Sequence, residues 1–119
     1  MIFRSSQLRR LDDFEVLTAY ANRFSPLEMQ YLSGLAKPVG SMCARHIMKD
    51  LLLDFFAKQG QNMSSQDLEI LPMTFRKKGD PAGVPTLHTP HDTSATEIKL
   101  SLSHSATHAM AALLVIRKD

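Results

Sequence analysis

The 119-residue sequence predicts an α+β protein in which N-terminal helices pack on a small antiparallel sheet. Apolar residues recur at helical spacing through the first half of the chain, whereas the last part alternates apolar and polar residues. Helices followed by strands, without regular alternation of the two, favour an antiparallel sheet over a parallel one. The length suits one modest core, so residues 1–119 are predicted to form a single domain.

The first two helices are predicted near the N-terminus. An imperfect apolar stripe predicts a helix over about residues 6–20. The second begins after Ser25, an N-cap residue that is followed by Pro26 at the first helical position. Glu28 stands three residues after the cap and completes a capping box, and Gly34 marks the end of this helix.

The third helix is the longest. Apolar residues at helical spacing between Ala44 and Phe56 predict a buried stripe on a helix from about Ser41 to Lys58. The stretch AKPVGS (residues 36–41) precedes it and is interpreted as a linker because of its proline and glycine.

The second half of the sequence predicts strands. DLEIL (67–71) is short and alternating, and one further strand is expected at about 84–87 in the Pro- and Gly-rich segment 72–96. LSLSHSATHAMAALLV (100–115) predicts a hairpin, in which a half-buried strand is followed by a strand over 109–116 that is buried on both faces.

Composition excludes several classes of function. A net charge of +2 is too small to argue for nucleic-acid binding. A single cysteine, Cys43, excludes an internal disulfide framework and a zinc site built on paired cysteines, and it suits a reducing, cytoplasmic setting. The longest apolar run falls short of the roughly 20 residues that cross a membrane, so no membrane segment is expected. The five glycines form no phosphate-binding loop.

Basic residues are concentrated at the N-terminus. Arg4, Arg9 and Arg10 all precede the first acidic residue, Asp12. This local positive charge predicts a patch for an acidic partner, and a solvated polar face is the alternative interpretation.

One helical stripe and two histidine clusters have side chains that chemistry could use. His46, Asp50 and Asp54 stand at i, i+4 and i+8, a spacing that could hold a hard divalent cation or form an ordinary exposed stripe. The sequence HTPHD places two histidines, at 88 and 91, in what is predicted to be a plain loop. Ser103 and His104 are adjacent on a predicted strand, so their side chains point to opposite faces and cannot form a nucleophile–base pair.

Five stretches in order resemble the holo-acyl-carrier-protein synthase group of 4'-phosphopantetheinyl transferases. They are RFSPLEMQYL, ARHIMKDLLLDFF, DLEIL, GVPTL and LSLSHSATHAMAALLV, and together they span nearly the whole chain. The resemblance implies a 4'-phosphopantetheinyl transferase-like fold and transfer of phosphopantetheine from coenzyme A to a serine of an acyl carrier protein. It further implies Mg²⁺ on the pyrophosphate, a homotrimer with sites at the subunit interfaces, and a role in the fatty acid metabolism of the cytoplasm.

The resemblance also implies roles for individual residues. Lys49 and Asp50 are assigned to catalysis, and Asp50 is assigned to magnesium together with Asp54. Coenzyme A is expected to contact Arg45, Lys49, Ser103 and His104, whereas His108 has no assigned role and is interpreted as a turn residue. Basic residues of the first helix dock the carrier protein in this family, which points to Arg9 and Arg10.

Four positions depart from the family pattern, one of them by a single methylene group, since Asp50 stands where the family has a glutamate. Counting back from the first helix, Arg4 and Gln7 occupy positions that are acidic in the family, and Asp54 replaces its second lysine. Two hypotheses therefore stay open at this point: an active but divergent transferase, or an impaired member that binds coenzyme A or a carrier protein without transfer. A third, an unrelated small helical binding module, would require the order of the motifs to be chance.

Overall fold

The structure is a computed structural model and describes residues 2–13, 21–72, 75 and 84–118. In these ranges it contains two α-helices and five strands, with short 3-10 turns between them. Their bounds are β1 (Ile2–Arg10), α1 (Pro26–Ser33), α2 (Pro38–Lys58), β2 (Glu69–Pro72), β3 (Pro85–His88), β4 (Thr96–His104) and β5 (His108–Arg117). The predicted α+β class is confirmed.

The larger sheet has three antiparallel strands in the order β1-β5-β4. Strands β4 and β5 form the predicted hairpin, in which Leu100 lies opposite Leu113. Strand β1 closes the other side of β5, with Arg4 opposite Leu114. A second, two-stranded sheet pairs β2 with β3 and contacts β4 through β3.

Helix α2 covers one face of the three-stranded sheet, here called the inner face. Its buried residues include Ile47, Met48 and Leu52, which pack on β5 through Ala111 and Leu113. Burying one Leu or Ile side chain in this way contributes about 1.5–3 kcal/mol, so this contact is the main stabilising layer of the protein. The opposite, outer face of the sheet has no helix of the described chain on it.

The prediction of a helix over about residues 6–20 is wrong for the part of that range that the structure describes. Residues 2–10 form β1, residues 11–13 form a 3-10 turn, and residues 14–20 lie outside the described part of the chain. The helical stripe was imperfect, and pairing along the whole length of β5 gives β1 a hydrogen-bonded ladder that local helical preference cannot match. Contact between Phe3 and Phe55 of α2, with ring centroids 5.0 Å apart, anchors the strand.

Other boundaries differ by a few residues. Helix α2 begins at Pro38, not at Ser41, because proline is accommodated in the first turn of a helix, where its missing N–H is not needed. Strand β2 begins at Glu69, since residues 65–67 form a 3-10 turn. Strand β3 lies one residue beyond its predicted place.

Strand β5 departs from the expectation of burial on both faces. Its residues alternate between buried and half-buried or exposed side chains, and only the inner set is fully covered. In the described ranges, no helix is long and apolar enough to cross a membrane.

Candidate functional site

Arg45 lies on the buried side of α2 and is held by three contacts. Its Nε donates to the carbonyl of Ile70 at 3.1 Å, and Nη1 donates to the carbonyl of Ser41 at 3.5 Å. The guanidinium carbon stands 4.9 Å from the centre of the Tyr31 ring. Burial lowers the pKa of Arg45, and Tyr31 and Glu28 partly offset that shift. The cation is thereby fixed in one orientation between the helix and the smaller sheet.

His104 ends β4 on the inner face, opposite Ala109. Its Nε2 lies 3.5 Å from the hydroxyl of Ser41, and its ring lies directly against the backbone of Gly40. A Cβ at position 40 would stand 2.3 Å from Nδ1 of the histidine, so only glycine allows this approach. The first turn of α2 therefore positions the imidazole.

Arg45 and His104 line the same cleft. Its volume is about 170 Å³, and it lies between α1, the start of α2 and the strands. The remaining lining residues are Tyr31, Ser41, Ala44, Pro72, Pro85 and Leu102. A fixed cation and an imidazole beside a hydroxyl form a site suited to an anionic ligand.

Ser103 lies outside this cleft. It neighbours His104 on β4 but points to the other face of the sheet, as the alternation of a strand requires. There it lines a hollow of about 190 Å³ with Leu8, Met110 and His108. His104 reaches both spaces because it stands at the end of the strand.

Lys49 is fully buried and makes three short contacts. Its Nζ donates to Glu28 Oε1 at 2.7 Å and to the carbonyls of Ser65 and Leu68 at 2.7 and 2.8 Å. Burial lowers the pKa of Lys49 and raises that of Glu28, while the ion pair opposes both shifts. All three donors of the ammonium group have an acceptor, so the structure gives Lys49 an architectural contact. Its assignment to catalysis and to coenzyme A stays a prediction.

Asp50 lies against an arginine that the sequence had not singled out. Arg23, in the 3-10 turn before α1, donates from Nη2 to Asp50 Oδ1 at 2.8 Å. Its Nη1 stands 2.6 Å from His46 Nδ1. Asp50 and Arg23 are 27 positions apart, so no periodicity of the sequence could reveal the pair. The signal for Arg23 itself was its place at the start of RFSPLEMQYL, the first of the five stretches that carry the resemblance.

The carboxylates assigned to magnesium do not form a metal-binding set. Asp54 contacts Lys58 at 3.1 Å, whereas Asp50 contacts Arg23. Mg²⁺ requires oxygen ligands in octahedral geometry, and here each carboxylate faces a protein cation. Within the described ranges, no group of three His, Cys, Asp or Glu side chains could hold a metal ion. The two carboxylates assigned to the metal, in the positions that the structure describes, therefore do not fit a resident magnesium ion.

The N-terminal arginines lie on β1, not on a helix. Arg10 is exposed and makes a 3.1 Å ion pair with Asp12. Arg9, its neighbour, faces the other side of the strand, where its charge acts on Cys43 and His46 of α2. The predicted patch is thus divided between the two faces of the sheet.

The remaining histidines lie near the smaller sheet. His88 ends β3 and lines a polar hollow of about 530 Å³ together with Asp67 and Glu69. His91 Nε2 lies 3.9 Å from Asp67 Oδ2. His88 is the last residue of β3, and residues 89–92 form no helix or strand, as the loop interpretation of HTPHD predicted.

Comparison with known proteins identifies the fold. Neither a protein-family model nor a curated protein matches the sequence. Solved structures do match along the whole chain. The synthase–CoA complex from Chronobacterium ammoniagenes has a TM-score of 0.73 at 18% identity, covering 100% of this chain and 99% of that one. A holo-(acyl-carrier-protein) synthase from Bacillus anthracis, in complex with CoA (3',5'-ADP), has a TM-score of 0.70 at 19% identity, covering 97% and 96%.

A third match is the holo-[acyl-carrier-protein] synthase from Neisseria meningitidis. Its TM-score is 0.69 at 18% identity, with 96% of this chain and 97% of that chain covered. The architecture thus belongs to a class of small α+β proteins with one long helix against an antiparallel sheet. Within that class, the chain has the holo-acyl-carrier-protein synthase fold, as the sequence resemblance implied.

Proposed function

We propose that this protein transfers 4'-phosphopantetheine from coenzyme A to a serine of an acyl carrier protein and releases 3',5'-ADP. The observation that carries the proposal is the cleft shared by Arg45 and His104, in a fold whose solved examples include complexes with CoA. Both residues were assigned to coenzyme A from the sequence motifs. Their meeting across 59 positions depends on the fold and on no local pattern.

In the proposed reaction, Arg45 and His104 bind phosphate or ribose groups of coenzyme A. A guanidinium donates two parallel hydrogen bonds to phosphate oxygens, and an imidazole can donate a third. Such donors stabilise the charge that develops on phosphate oxygens during transfer. Ser103 borders the outer hollow, where it would contact ligand or partner atoms that pass the end of β4.

The attack of the carrier serine needs a group that accepts its proton. Asp50, a carboxylate on α2 whose side chain is 45% exposed, is assigned to accept that proton. Lys49, buried beneath it, acts as a positioning residue that fixes this segment of the helix. No step of this scheme passes through magnesium, which the carboxylates do not fit; the dependence on Mg²⁺ implied by the resemblance is a question for the assay below.

We also propose that the protein assembles as a homotrimer through the outer face of the three-stranded sheet. Ile2, Leu8 and Met110 are exposed there, with fractions of 59%, 63% and 37%. Half-buried residues of β5, including Leu114, complete an apolar surface along a groove of about 630 Å³. Uncovered apolar surface of this kind marks an interaction site, and a second copy of this chain supplies a matching face.

The partner in the proposed reaction is an acidic acyl carrier protein in the cytoplasm, as part of fatty acid biosynthesis. Arg10, 66% exposed in its side chain, offers a cation for acidic helices, and Arg9 adds positive charge behind it. The whole chain of 119 residues acts as one domain in this scheme.

The deciding assay mixes the protein with labelled coenzyme A and several apo carrier proteins, with Mg²⁺ or with EDTA. We expect label on at least one carrier, and loss of about tenfold or more of the transfer rate in Arg45→Gln, since a charge-assisted contact to phosphate is removed. Lys118→Gln, which removes a charge from the exposed end of the chain, is the matched control.

Coenzyme A binding measured in parallel separates the alternatives. Binding without transfer to any carrier would select the impaired member of the family and overturn the proposal. Absence of both coenzyme A binding and transfer would contradict the active transferase and the impaired member alike.

A further inference from the structure

The outer face of the three-stranded sheet carries two cations on either side of one leucine. Arg4 of β1 and Lys99 of β4 both lie opposite Leu114 of β5, so the three side chains form one row on this face. Neighbouring strands are about 4.8 Å apart, which separates the backbones of the two cations by about 10 Å. Side chains as long as arginine and lysine can therefore reach one small ligand above the leucine.

The next row of the sheet supplies two hydroxyl groups. Ser6 and Ser101 both lie opposite Ala112, whose side chain is a single methyl group. The two rows line a groove of about 630 Å³, here called the outer groove. Its floor is apolar, and its edges hold two cations and two hydroxyl groups.

The polar groups of the outer groove have few partners within the protein. Among the described residues, the side chains of Arg4, Ser6 and Ser101 make no hydrogen bond or ion pair. Lys99 contacts Glu97 at 3.5 Å, but the two side chains are 61% and 49% exposed, so this surface pair is weak. The groove thus offers more hydrogen-bond donors than it has acceptors, which suits an anionic ligand.

Covering the outer face increases the need for a negative charge. In the proposed trimer, Arg4 and Lys99 lose the water that solvates them, and a buried charge without a partner is destabilising. The three strands β1, β4 and β5 contain one acidic residue, Glu97. A second copy that packs through the same face therefore brings more cations than carboxylates, and a small anion between the copies would neutralise the excess.

We propose that the outer groove binds a tetrahedral oxyanion such as inorganic phosphate between Arg4 and Lys99, and that this anion stabilises the contact between copies. The second part rests on the proposed trimer, whereas the first part rests on the groove alone. A guanidinium donates two parallel hydrogen bonds to phosphate oxygens, and an ammonium group adds a charged donor. The hydroxyl groups of Ser6 and Ser101 supply neutral donors from the neighbouring row.

The test measures the association of the full chain by light scattering over a range of protein concentrations, in inorganic phosphate and in chloride. Equal ionic strength in the two buffers keeps general screening of charge constant. At a phosphate concentration about ten times its Kd, we expect the association constant to rise about tenfold for each anion bound between copies. Calorimetric titration with phosphate measures that Kd.

The double variant Arg4→Gln with Lys99→Gln removes both cations from the groove. We expect its association to change less than about twofold between the two buffers, because no charge is left for the anion to neutralise. In chloride it should associate at least as tightly as the parent protein. If a carboxylate of a second copy were the partner of these cations, the variant would instead associate more weakly in chloride.

The matched control is Arg117→Gln. Arg117 is an exposed arginine at the end of β5 that does not line the outer groove. This variant should keep the response of the parent protein to phosphate, which separates a local site from an effect of net charge.

Association that is equal in phosphate and chloride would overturn the inference and leave the trimer standing. A response to phosphate that survives in the double variant would also overturn it. A parent protein that stays monomeric but binds phosphate only when Arg4 and Lys99 are present would contradict the proposed trimer and retain the anion site. Neither measurement uses coenzyme A or a carrier protein, so the result is independent of transfer.

Discussion

Gly40 is the residue whose size most directly sets the cleft. It stands in the first turn of α2, where the His104 ring lies against its backbone. Two effects of Gly40→Ala oppose each other. Alanine favours a helix by about 1 kcal/mol over glycine, but its Cβ occupies the space of the imidazole. The ring can turn away at the surface, so we expect a modest change in stability and a displaced His104.

We therefore predict that Gly40→Ala changes the free energy of unfolding by less than about 1–2 kcal/mol and weakens coenzyme A binding several-fold. NMR signals of the His104 ring and calorimetric titration measure the two effects. Gly34→Ala is the matched control, since a Cβ there meets only ordinary contacts at 3.5 Å or more. Unchanged His104 signals in Gly40→Ala would contradict the prediction.

The lowered pKa of His46 predicts that the stability of the protein depends on pH. Its pKa is lowered in the folded protein, first by burial and then by Arg23. The unfolded chain therefore binds a proton before the folded one, and stability rises with pH in the window below the ordinary value of 6.5. The contribution of His46 to the free energy of unfolding is complete above pH 6.5 and is lost as the pH falls from there towards the lowered pKa of the folded protein. Urea unfolding between pH 5 and 7.5 should show this slope, and His46→Gln should reduce it. An equal slope in the variant would assign it to other groups.

At the scale of elements, the Glu28–Lys49 pair joins α1 to α2 and to the segment before β2. Glu28 belongs to the capping box of α1 with Ser25, and it also accepts from the backbone N–H of Ile70. Lys49 also donates hydrogen bonds to the carbonyls of Ser65 and Leu68. The capping box was predictable because its residues are three apart, whereas the long-range contacts of the same carboxylate were not.

We predict that Lys49→Met destabilises the protein by about 3–5 kcal/mol, because it leaves the buried Glu28 carboxylate without its cation. Adding Glu28→Gln should recover part of the loss, since the neutral amide needs no counter-charge. Lys58→Met is the matched control on the same helix: its ion pair with Asp54 is exposed, so the cost should stay below about 1 kcal/mol. Equal losses for the two lysines in urea unfolding would contradict the architectural role of Lys49.

At the scale of the whole molecule, the sheet presents two unlike faces. The inner face packs on α2, and the outer face leaves β5 half-covered although it is the central strand. Among the described residues no helix covers the outer side, and the proposed trimer would supply the burial that the sequence predicted there.

We predict that Leu8→Glu separates the proposed trimer into monomers, because it places a charge in the apolar outer face. Light scattering after size-exclusion chromatography, at micromolar concentration, measures the mass. Val84→Glu is the control: Val84 is also exposed, at 74%, but lies just before β3, away from the larger sheet. A parent protein that is monomeric throughout this range would contradict assembly through this face.

Short-range sequence patterns were enough to predict much of the secondary structure of this protein. The amphipathic period of α2, the capping box at Ser25 and Glu28, and the alternation in β4 are short-range patterns, and each element forms where the pattern stands. The α+β class followed from their order. Arg45 and His104 were singled out through the motifs that surround them, and the structure places them in one cleft.

Contacts between residues far apart in the sequence were decided only by the tertiary structure. Strand β1 exists because β5 offers it a complete ladder, Lys49 is buried because Glu28 arrives from another helix, and Arg23 meets Asp50 across 27 positions. These contacts have no period along the chain, since the residues are brought together by packing of elements. Asp50, which the resemblance assigned to magnesium, therefore faces the guanidinium of Arg23, because the neighbours of a charge are set in space and not along the sequence.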